Sequence, residues 1–161
     1  MKPIYQHLIG PFLLLQGSLL AHCQVPCGIY NDAARIIQIQ EDFSTIQKAM
    51  TKIKELSQQQ DATSMNQLTR WIITKEDHAS KIQKVVSEYF LTQRIKAKTE
   101  GSDYNTYVKQ TTTLHQILVS AMKCKQTVDD SNVDRGIQLV DTFIGYYFDK
   151  HGLEHLRILS E

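Results

Sequence analysis

The sequence predicts an all-α protein whose main body is an antiparallel up-down-up-down four-helix bundle. In four successive runs, apolar residues recur at alternating spacings of three and four, which is typical of one buried helix face. The links between the runs are short and polar, and no segment alternates apolar and polar residues over the length of a strand. Helices joined by short links pack as antiparallel neighbours. We therefore expect one helical domain with a single core from this chain of 161 residues.

The first two predicted helices carry the longest apolar stripes. In the first, beyond Asn31 and Asp32, the stripe is Ile36, Ile39, Phe43, Ile46, Met50 and Ile53. A polar link over residues 57–60 follows, with Asp61 or Thr63 as the N-cap of the next helix. The second run contains no glycine or proline from residue 62 to residue 98, and its stripe is Met65, Leu68, Ile72, Ala79, Ile82, Val86 and Tyr89.

The last two predicted helices follow polar breaks at residues 100–103 and 127–132. The third stripe is Tyr107, Thr111, Leu114, Leu118 and Ala121. The fourth is Val133, Ile137, Val140, Ile144 and Tyr147, and this helix is expected to end near His151 and Gly152. The bundle should thus cover about residues 32–151, and residues 153–161 are expected to form a short tail that covers a neighbouring surface.

Residues 1–21 have the features of a cleaved signal peptide. Lys2 gives a basic start, a short apolar centre follows, and Ala21 is a small residue ahead of the expected cut. The apolar run is too short, and too interrupted by Gly, Pro and Gln, to span a bilayer, and no lipid anchor is expected. We predict that a leader peptidase cuts between Ala21 and His22, that the protein is exported to the periplasm or exterior, and that residues 22–161 form the mature domain.

Residues 22–30, His-Cys-Gln-Val-Pro-Cys-Gly-Ile-Tyr, concentrate metal ligands directly behind the expected cut. Cleavage would leave His22 with a free amine, and that amine and the amide nitrogen of Cys23 can close one five-membered chelate ring. The same amide and the Cys23 thiolate can close a second ring, and Cys27 can complete the plane. A planar set of two nitrogens and two thiolates suits nickel(II) or copper(II) better than zinc. We call residues 22–30 the hook.

The motif His-Cys-x-x-Pro-Cys-Gly-x-Tyr resembles the metal hook of nickel-containing superoxide dismutases. Later segments of the chain resemble the same family more weakly, including Leu68-Thr69-Arg70-Trp71 on the second helix. The resemblance implies that the amine and imidazole of His22, the amide and thiolate of Cys23 and the thiolate of Cys27 hold one nickel ion per subunit. It implies that His22 and Tyr30 are catalytic, with Tyr30 guarding the approach of superoxide.

The resemblance also implies a four-helix subunit, a homo-oligomer that is a hexamer, and superoxide as the substrate. Some leaders in this family are not export signals, so a cytoplasmic enzyme with a removable propeptide is the alternative localisation. The chain departs from some members at Gln24, where they have Asp. In some members a Glu from the first helix and an Arg from the second position the axial imidazole, which corresponds to that of His22. This chain has Gln38 and His78 in those regions.

The balance of charges limits the expected partners, and the remaining cysteine and histidines are expected to have structural or surface roles. Without Lys2 the mature chain has equal numbers of basic and acidic residues, which argues against a nucleic-acid or membrane-surface role. Cys124 is expected to be a buried small residue. His78 is expected either on the helix surface or beside the hook, and His115, His151 and His155 are expected to be structural or solvated.

The function that these observations favour is superoxide dismutation by nickel that alternates between +2 and +3. The alternative is a non-enzymatic helical bundle, either a nickel or copper carrier or a binding module in which Cys23 and Cys27 form a disulfide. The hook distinguishes these, because only the dismutase requires the free amine of His22.

Overall fold

The computed structural model describes residues 30–161, and within that range all regular secondary structure is helical, without strands. The elements, in chain order, are α1 (Asp32–Leu56), α2 (Ala62–Lys84), a π-helical segment (Val85–Arg94), α3 (Tyr104–Gln126), α4 (Ser131–Tyr147) and α5 (Lys150–Ser160). The π-helical segment continues α2 without a break. The all-α prediction is confirmed.

The first four helices form the predicted bundle. Each packs against the next in sequence, and α4 closes the ring by packing against α1. The interior is a single cluster of buried residues from every bundle helix, and its largest members are Phe43, Tyr89, Phe90 and Phe143. All six predicted stripe residues of α1 are buried. The four-helix architecture follows from this arrangement.

Short polar side chains fix the starts of α1 and α2. The Asn31 carboxamide oxygen accepts a hydrogen bond from the amide of Ala34 at 3.0 Å. The Asp61 carboxylate accepts from the amides of Thr63 and Ser64, both at 3.0 Å, so Asp61 is the cap and Thr63 is not. Because Asn31 is the N-cap of α1, the helix begins two residues after Tyr30, the last residue of the hook motif.

The C-terminal part of the second run adopts π-helical geometry. The amide of Ile95 donates to the carbonyl of Phe90, five residues back, at 2.9 Å. Two side chains repeat this spacing, since Thr92 donates to the Ser87 carbonyl and Gln93 to the Glu88 carbonyl. π-Helical turns are rare and are often found at functional sites. Here the segment carries Tyr89 and Arg94, which the next subsection describes.

The buried faces of α2, α3 and α4 differ in part from the predicted stripes. At the start of α2, Met65 and Ile72 are 52% and 41% exposed. On α3 and α4 the fully buried positions include Ile117, Cys124, Gly136 and Phe143, which the stripes omitted. Gly136 lies against the ring of Phe43, where a side chain would overlap the ring. The real core faces therefore include small and polar residues that a count of large apolar residues passes over.

The C-terminal region is a fifth helix, and α4 ends earlier than the expected boundary near His151. Phe148 is extended with ψ 138°, which breaks α4 after Tyr147. Asp149 then caps α5 by accepting from the amide of Gly152 at 2.8 Å. The predicted tail is thus a helix that packs against α1, with Leu156 half-buried against the core. A new cap one residue after the break explains why the chain turns and becomes helical again.

A buried lysine secures the C-terminal end of α3. Lys75 of α2 is 4% exposed, and its ammonium donates to the carbonyl of Cys124 at 2.7 Å and to the carbonyl of Lys125. The last carbonyls of a helix have no partner within the helix, and a cation there also favours the helix dipole. Lys75 therefore joins α2 to the end of α3 through charge-assisted bonds.

Candidate metal centre

The predicted nickel ligands His22, Cys23 and Cys27 lie outside the described residues. Tyr30 is the last residue of the hook motif and the first residue that the structure describes. The described part of the site is therefore the surface to which the hook is joined, at the N-terminus of α1.

Tyr30 is held by one aromatic and one cationic neighbour. Its ring meets the ring of Tyr89 edge-on, with 6.0 Å between centroids and 69° between planes. The guanidinium carbon of Arg94 lies 4.3 Å from the centroid of the Tyr30 ring, within the range of a cation–π interaction. The Tyr30 side chain still has 44% of its surface exposed. The ring is thus fixed on one side and open to solvent on the other.

Asp32 connects this arrangement to three parts of the bundle. Arg94 donates to its two carboxylate oxygens from Nε at 2.8 Å and from Nη2 at 2.7 Å. The hydroxyls of Tyr89 and Tyr147 donate to the same carboxylate at 2.5 Å and 2.7 Å. Asp32 belongs to α1, Tyr89 and Arg94 to the π-helical segment and Tyr147 to α4. We call these four residues the Asp32 network.

The electrostatics of the Asp32 network follow from this bonding. Burial raises the pKa of the Asp32 carboxyl, but the hydrogen bonds from Arg94, Tyr89 and Tyr147 lower it by more, so the pKa lies below its usual value. Burial and then the bond to Asp32 raise the pKa of Tyr89 and of Tyr147 well above the ordinary tyrosine range. At neutral pH the carboxylate is ionised and both phenols are protonated donors.

A depression of about 440 Å³ opens beside Tyr30. One part of its wall consists of Asp32, Arg94 and Tyr147. Another part comes from α5, which contributes His151 and His155. Sequence reasoning missed Asp32, Arg94 and Tyr147, because Tyr89, Arg94 and Tyr147 stand 57, 62 and 115 residues from Asp32 along the chain. An acidic residue in the first turn of a helix ordinarily indicates only a favourable helix start.

The two residues considered as neighbours of the hook imidazole bond elsewhere in the described chain. Gln38 accepts from Arg35 Nη1 on the same helix at 2.9 Å. His78 Nδ1 lies 2.6 Å from Asp42 Oδ1, which joins α2 to α1. Asp42 is 4% exposed, its Oδ2 has no hydrogen-bond partner among the described residues, and burial raises its pKa despite the contact with His78. His78 is therefore an inter-helix contact that sequence reasoning did not pair with Asp42.

The described helices offer no competing metal centre. Between residues 30 and 161, no group of three or more His, Cys, Asp and Glu side chains could hold an ion. Cys124 is fully buried, as predicted, and burial raises the pKa of its thiol to about 11. A protonated buried thiol is a poor ligand. The amine, amide and thiolate donors of the hook, by contrast, are of the kinds that suit planar nickel(II).

None of the helices between residues 30 and 161 combines the length and apolar character needed to cross a membrane.

No curated protein and no solved structure matches the chain significantly. The family model for nickel-containing superoxide dismutase matches residues 18–151, a range that includes the hook and all four bundle helices. This confirms the resemblance, and the chain belongs to the nickel-containing superoxide dismutase family.

Proposed function

We propose that His22, Cys23 and Cys27 hold one nickel ion per chain once the leader has been removed, and that Tyr30 stands at the open face of that site. Family membership makes the chain an oxidoreductase that converts superoxide to dioxygen and hydrogen peroxide with nickel as cofactor. The observation that carries the assignment of the ligands is the hook motif, with its six fixed residue types in nine positions. Bound nickel supplies the electron chemistry by alternating between two oxidation states.

Tyr30 is proposed to control the approach of small molecules. Its ring is immobilised by Tyr89 and Arg94, while its exposed side faces solvent. A fixed aromatic ring can exclude larger reductants, and its hydroxyl can orient water or a small anion by hydrogen bonding. In this role Tyr30 orders the substrate and does not act as a nucleophile.

The Asp32 network is proposed to hold Tyr30 in position and to keep its surroundings from repelling an anion. The Arg94 cation is paired with the ionised Asp32 carboxylate, so the carboxylate presents no uncompensated negative charge beside Tyr30. The two phenols that donate to Asp32 reduce its negative field further. Superoxide is itself an anion, and an unpaired carboxylate at this position would oppose its approach.

Maturation and assembly complete the proposal. A leader peptidase removes residues 1–21, which frees the amine of His22, and the protein is exported; the alternative is a cytoplasmic enzyme with a removable propeptide. Homo-oligomer formation, as a hexamer, is supported by the resemblance to the family. Exposed apolar side chains at the start of α2, namely Met65, Ile72 and Ile73, offer surface that a neighbouring subunit could cover.

The test compares the chain that begins at His22 with the chain that retains its leader, each refolded under reducing conditions with and without nickel(II). We expect dismutation only from the processed chain with nickel, because the leader blocks the amine ligand. Cys23→Ser and Cys27→Ser should abolish both nickel binding at the hook and dismutation while the helical circular dichroism is unchanged. Cys124→Ala is the matched control, and it should keep both.

Three results would reject the proposal. An active precursor would show that the free amine is not a ligand. A processed chain that shows no dismutation with or without nickel, and in which Cys23 and Cys27 are joined in a disulfide, would favour the binding-module alternative. Metal binding without dismutation would favour the carrier.

A further inference from the structure

A pair of exposed histidines lies on one face of α5, beside Tyr30. His151 and His155 are four residues apart, which on a helix places their Cβ atoms about 5–6 Å from each other. Both side chains are exposed, and both line the depression that also contains Tyr30. Neither imidazole makes a hydrogen bond or ion pair with another residue of the described range 30–161. The sequence predicted His151 at the end of the fourth helix and His155 in a short tail, both structural or solvated, whereas one helix carries both.

The fold holds this pair in a defined place. α5 packs against α1, and Leu156, on the turn that carries His155, is half-buried against the core. At the other end of the pair, Asp149 Oδ1 accepts from the Gly152 amide, and Gly152 packs so closely on Phe148 that a side chain would overlap that ring. The imidazoles therefore project from an anchored helix into the depression.

Two imidazoles at this spacing are ligands for a borderline divalent cation such as Ni²⁺. The neighbouring charged groups do not add strong ligands, because Asp32 is saturated by Arg94, Tyr89 and Tyr147 and one oxygen of Asp149 serves as a helix cap. With only two protein donors, water fills the other coordination positions. Such a site binds weakly and releases its ion easily, in contrast to the chelating hook.

Tyr30, which lines the same depression as the two histidines, is close to the hook ligands along the chain. Cys27 precedes Tyr30 by three residues, so covalent geometry keeps its Cα within about 11 Å of the Cα of Tyr30. The family match ends at residue 151, so His155 and most of α5 lie beyond what the family accounts for.

We propose that His151 and His155 form a capture site for Ni²⁺ that delivers the ion to the hook. This inference rests on the proposed function, since it requires His22, Cys23 and Cys27 to be the final ligands. The transfer is a ligand exchange in which nickel remains Ni²⁺. The two imidazoles are released as neutral groups, and the protons displaced from the His22 ammonium, the Cys23 amide and the two thiols pass to water.

The first experiment measures Ni²⁺ binding directly, by calorimetry on the tag-free chain that begins at residue 22 and carries His22→Ala, Cys23→Ser and Cys27→Ser, which removes the side-chain ligands of the hook. In this background the capture site should remain. Adding His151→Ala and His155→Ala should weaken the binding at least about tenfold, because loss of an outer-shell partner alone typically costs about 10- to 100-fold in metal affinity. His115→Ala, an exposed histidine on α3, is the matched control and should leave the affinity unchanged.

The second experiment follows transfer with the hook intact. At limiting Ni²⁺, the absorbance of nickel–thiolate bonds should develop several-fold more slowly in the double His→Ala variant and at the normal rate in His115→Ala. The final absorbance at saturating Ni²⁺ should be equal in all three chains. Unchanged Ni²⁺ affinity in the first experiment, or an unchanged rate in the second, would overturn the capture site. Failure of the hook itself would differ, because no thiolate absorbance would develop in any chain.

Discussion

The guanidinium of Arg94 lies 4.3 Å from the centre of the Tyr30 ring while it donates two hydrogen bonds to Asp32. Arg94 is the last residue of the π-helical segment, and Tyr30 directly precedes Asn31, the N-cap of α1. One side chain thus joins the end of the hook motif to a helical segment far along the chain, since Arg94 follows Asp32 by 62 positions. The position of Tyr30 is determined by tertiary structure, although the residue belongs to a local motif.

Asp32→Asn should lower stability most at neutral pH. The substitution removes the charge that Arg94, Tyr89 and Tyr147 all recognise, and we expect a loss of about 2–3 kcal/mol in the free energy of unfolding at pH 7. The pKa of Asp32 is lower in the folded chain than the ordinary pKa of an aspartate. Its contribution is therefore complete above the unfolded pKa of about 3.9 and disappears as the pH falls through the folded pKa.

Urea unfolding at pH 7 and near pH 3 measures this dependence. The difference between wild type and Asp32→Asn should shrink toward the acid end. Asp141→Asn, at an exposed position on α4, is the control and should change stability by less than about 0.5 kcal/mol. A difference for Asp32→Asn that is independent of pH would show that the network does not depend on the ionised carboxylate.

Arg94→Gln should reduce dismutation without removing nickel. The variant loses the cation over Tyr30 and leaves Asp32 with an unpaired negative charge near the approach path. A cation–π contact of about 1 kcal/mol corresponds to roughly a fivefold effect, and repulsion of the superoxide anion should add to it. Nickel content and dismutation rate are measured together, with the exposed Arg70→Gln on α2 as control. Equal rates in wild type and Arg94→Gln would exclude a positioning role for Arg94.

His78→Ala should destabilise the bundle more at pH 7 than at pH 4. It removes the partner of Asp42, whose carboxyl is buried and whose second oxygen is already without a partner in the described structure. We expect a cost of about 2–3 kcal/mol when Asp42 is ionised, since a buried charge would then be uncompensated. The pKa of Asp42 is raised by burial, so the carboxyl is protonated more readily in the folded state.

The pH dependence of the cost of His78→Ala follows from the raised pKa of Asp42. Below the unfolded pKa of about 3.9, Asp42 is neutral in both states and the electrostatic part of the cost vanishes, whereas above the folded pKa it is complete. Guanidinium unfolding at the two pH values measures the difference, and His115→Ala controls for the loss of a surface imidazole. A larger cost at pH 4 than at pH 7 would contradict this account.

Two glycines on α4 should respond in opposite directions to the same substitution. Gly136→Ala should destabilise by about 1–3 kcal/mol, because the added methyl group overlaps the Phe43 ring. Gly145→Ala meets open space and should stabilise by about 0.5–1 kcal/mol through helix propensity. Thermal or urea unfolding of the two variants provides the comparison. A stabilised Gly136→Ala would mean that α1 and α4 can separate without penalty.

The bundle could be predicted because its signal is local and repeated. Every residue of the predicted α1 stripe, from Ile36 to Ile53, is buried, although the stripe omitted the buried Ala33, Asp42 and Ala49, and Asp61 marked the start of α2. On α3 the buried face is shared by Thr113, Ser120 and Cys124, which are small or polar and do not register in an apolar stripe. The break at Phe148 was missed because it rests on one extended residue followed by a new cap, not on glycine or proline.

The candidate site likewise has one part that could be predicted from the sequence and one part that could not. The hook motif identifies itself, since its donors are consecutive in the chain, and the assignment of His22, Cys23, Cys27 and Tyr30 remains a prediction. The Asp32 network is assembled from three helices, and no pattern within any one of them predicts it. Likewise, the contact between His78 and Asp42 spans 36 residues, and only the packing of α1 on α2 brings the two together.

The π-helical segment sets the directions in which the side chains of Tyr89 and Arg94 point, and the site depends on those directions. In an α-helix, Tyr89 and Arg94 would point about 140° apart, because each residue advances by about 100°. The wider turns that hydrogen bonds over five residues create let both side chains reach the same carboxylate. Insertion or deletion of one residue between Val85 and Arg94 would therefore rotate Arg94 away from Tyr30 even though every residue of the site was retained. In this protein, chain length within a helix is as much a determinant of the site as the identity of its side chains.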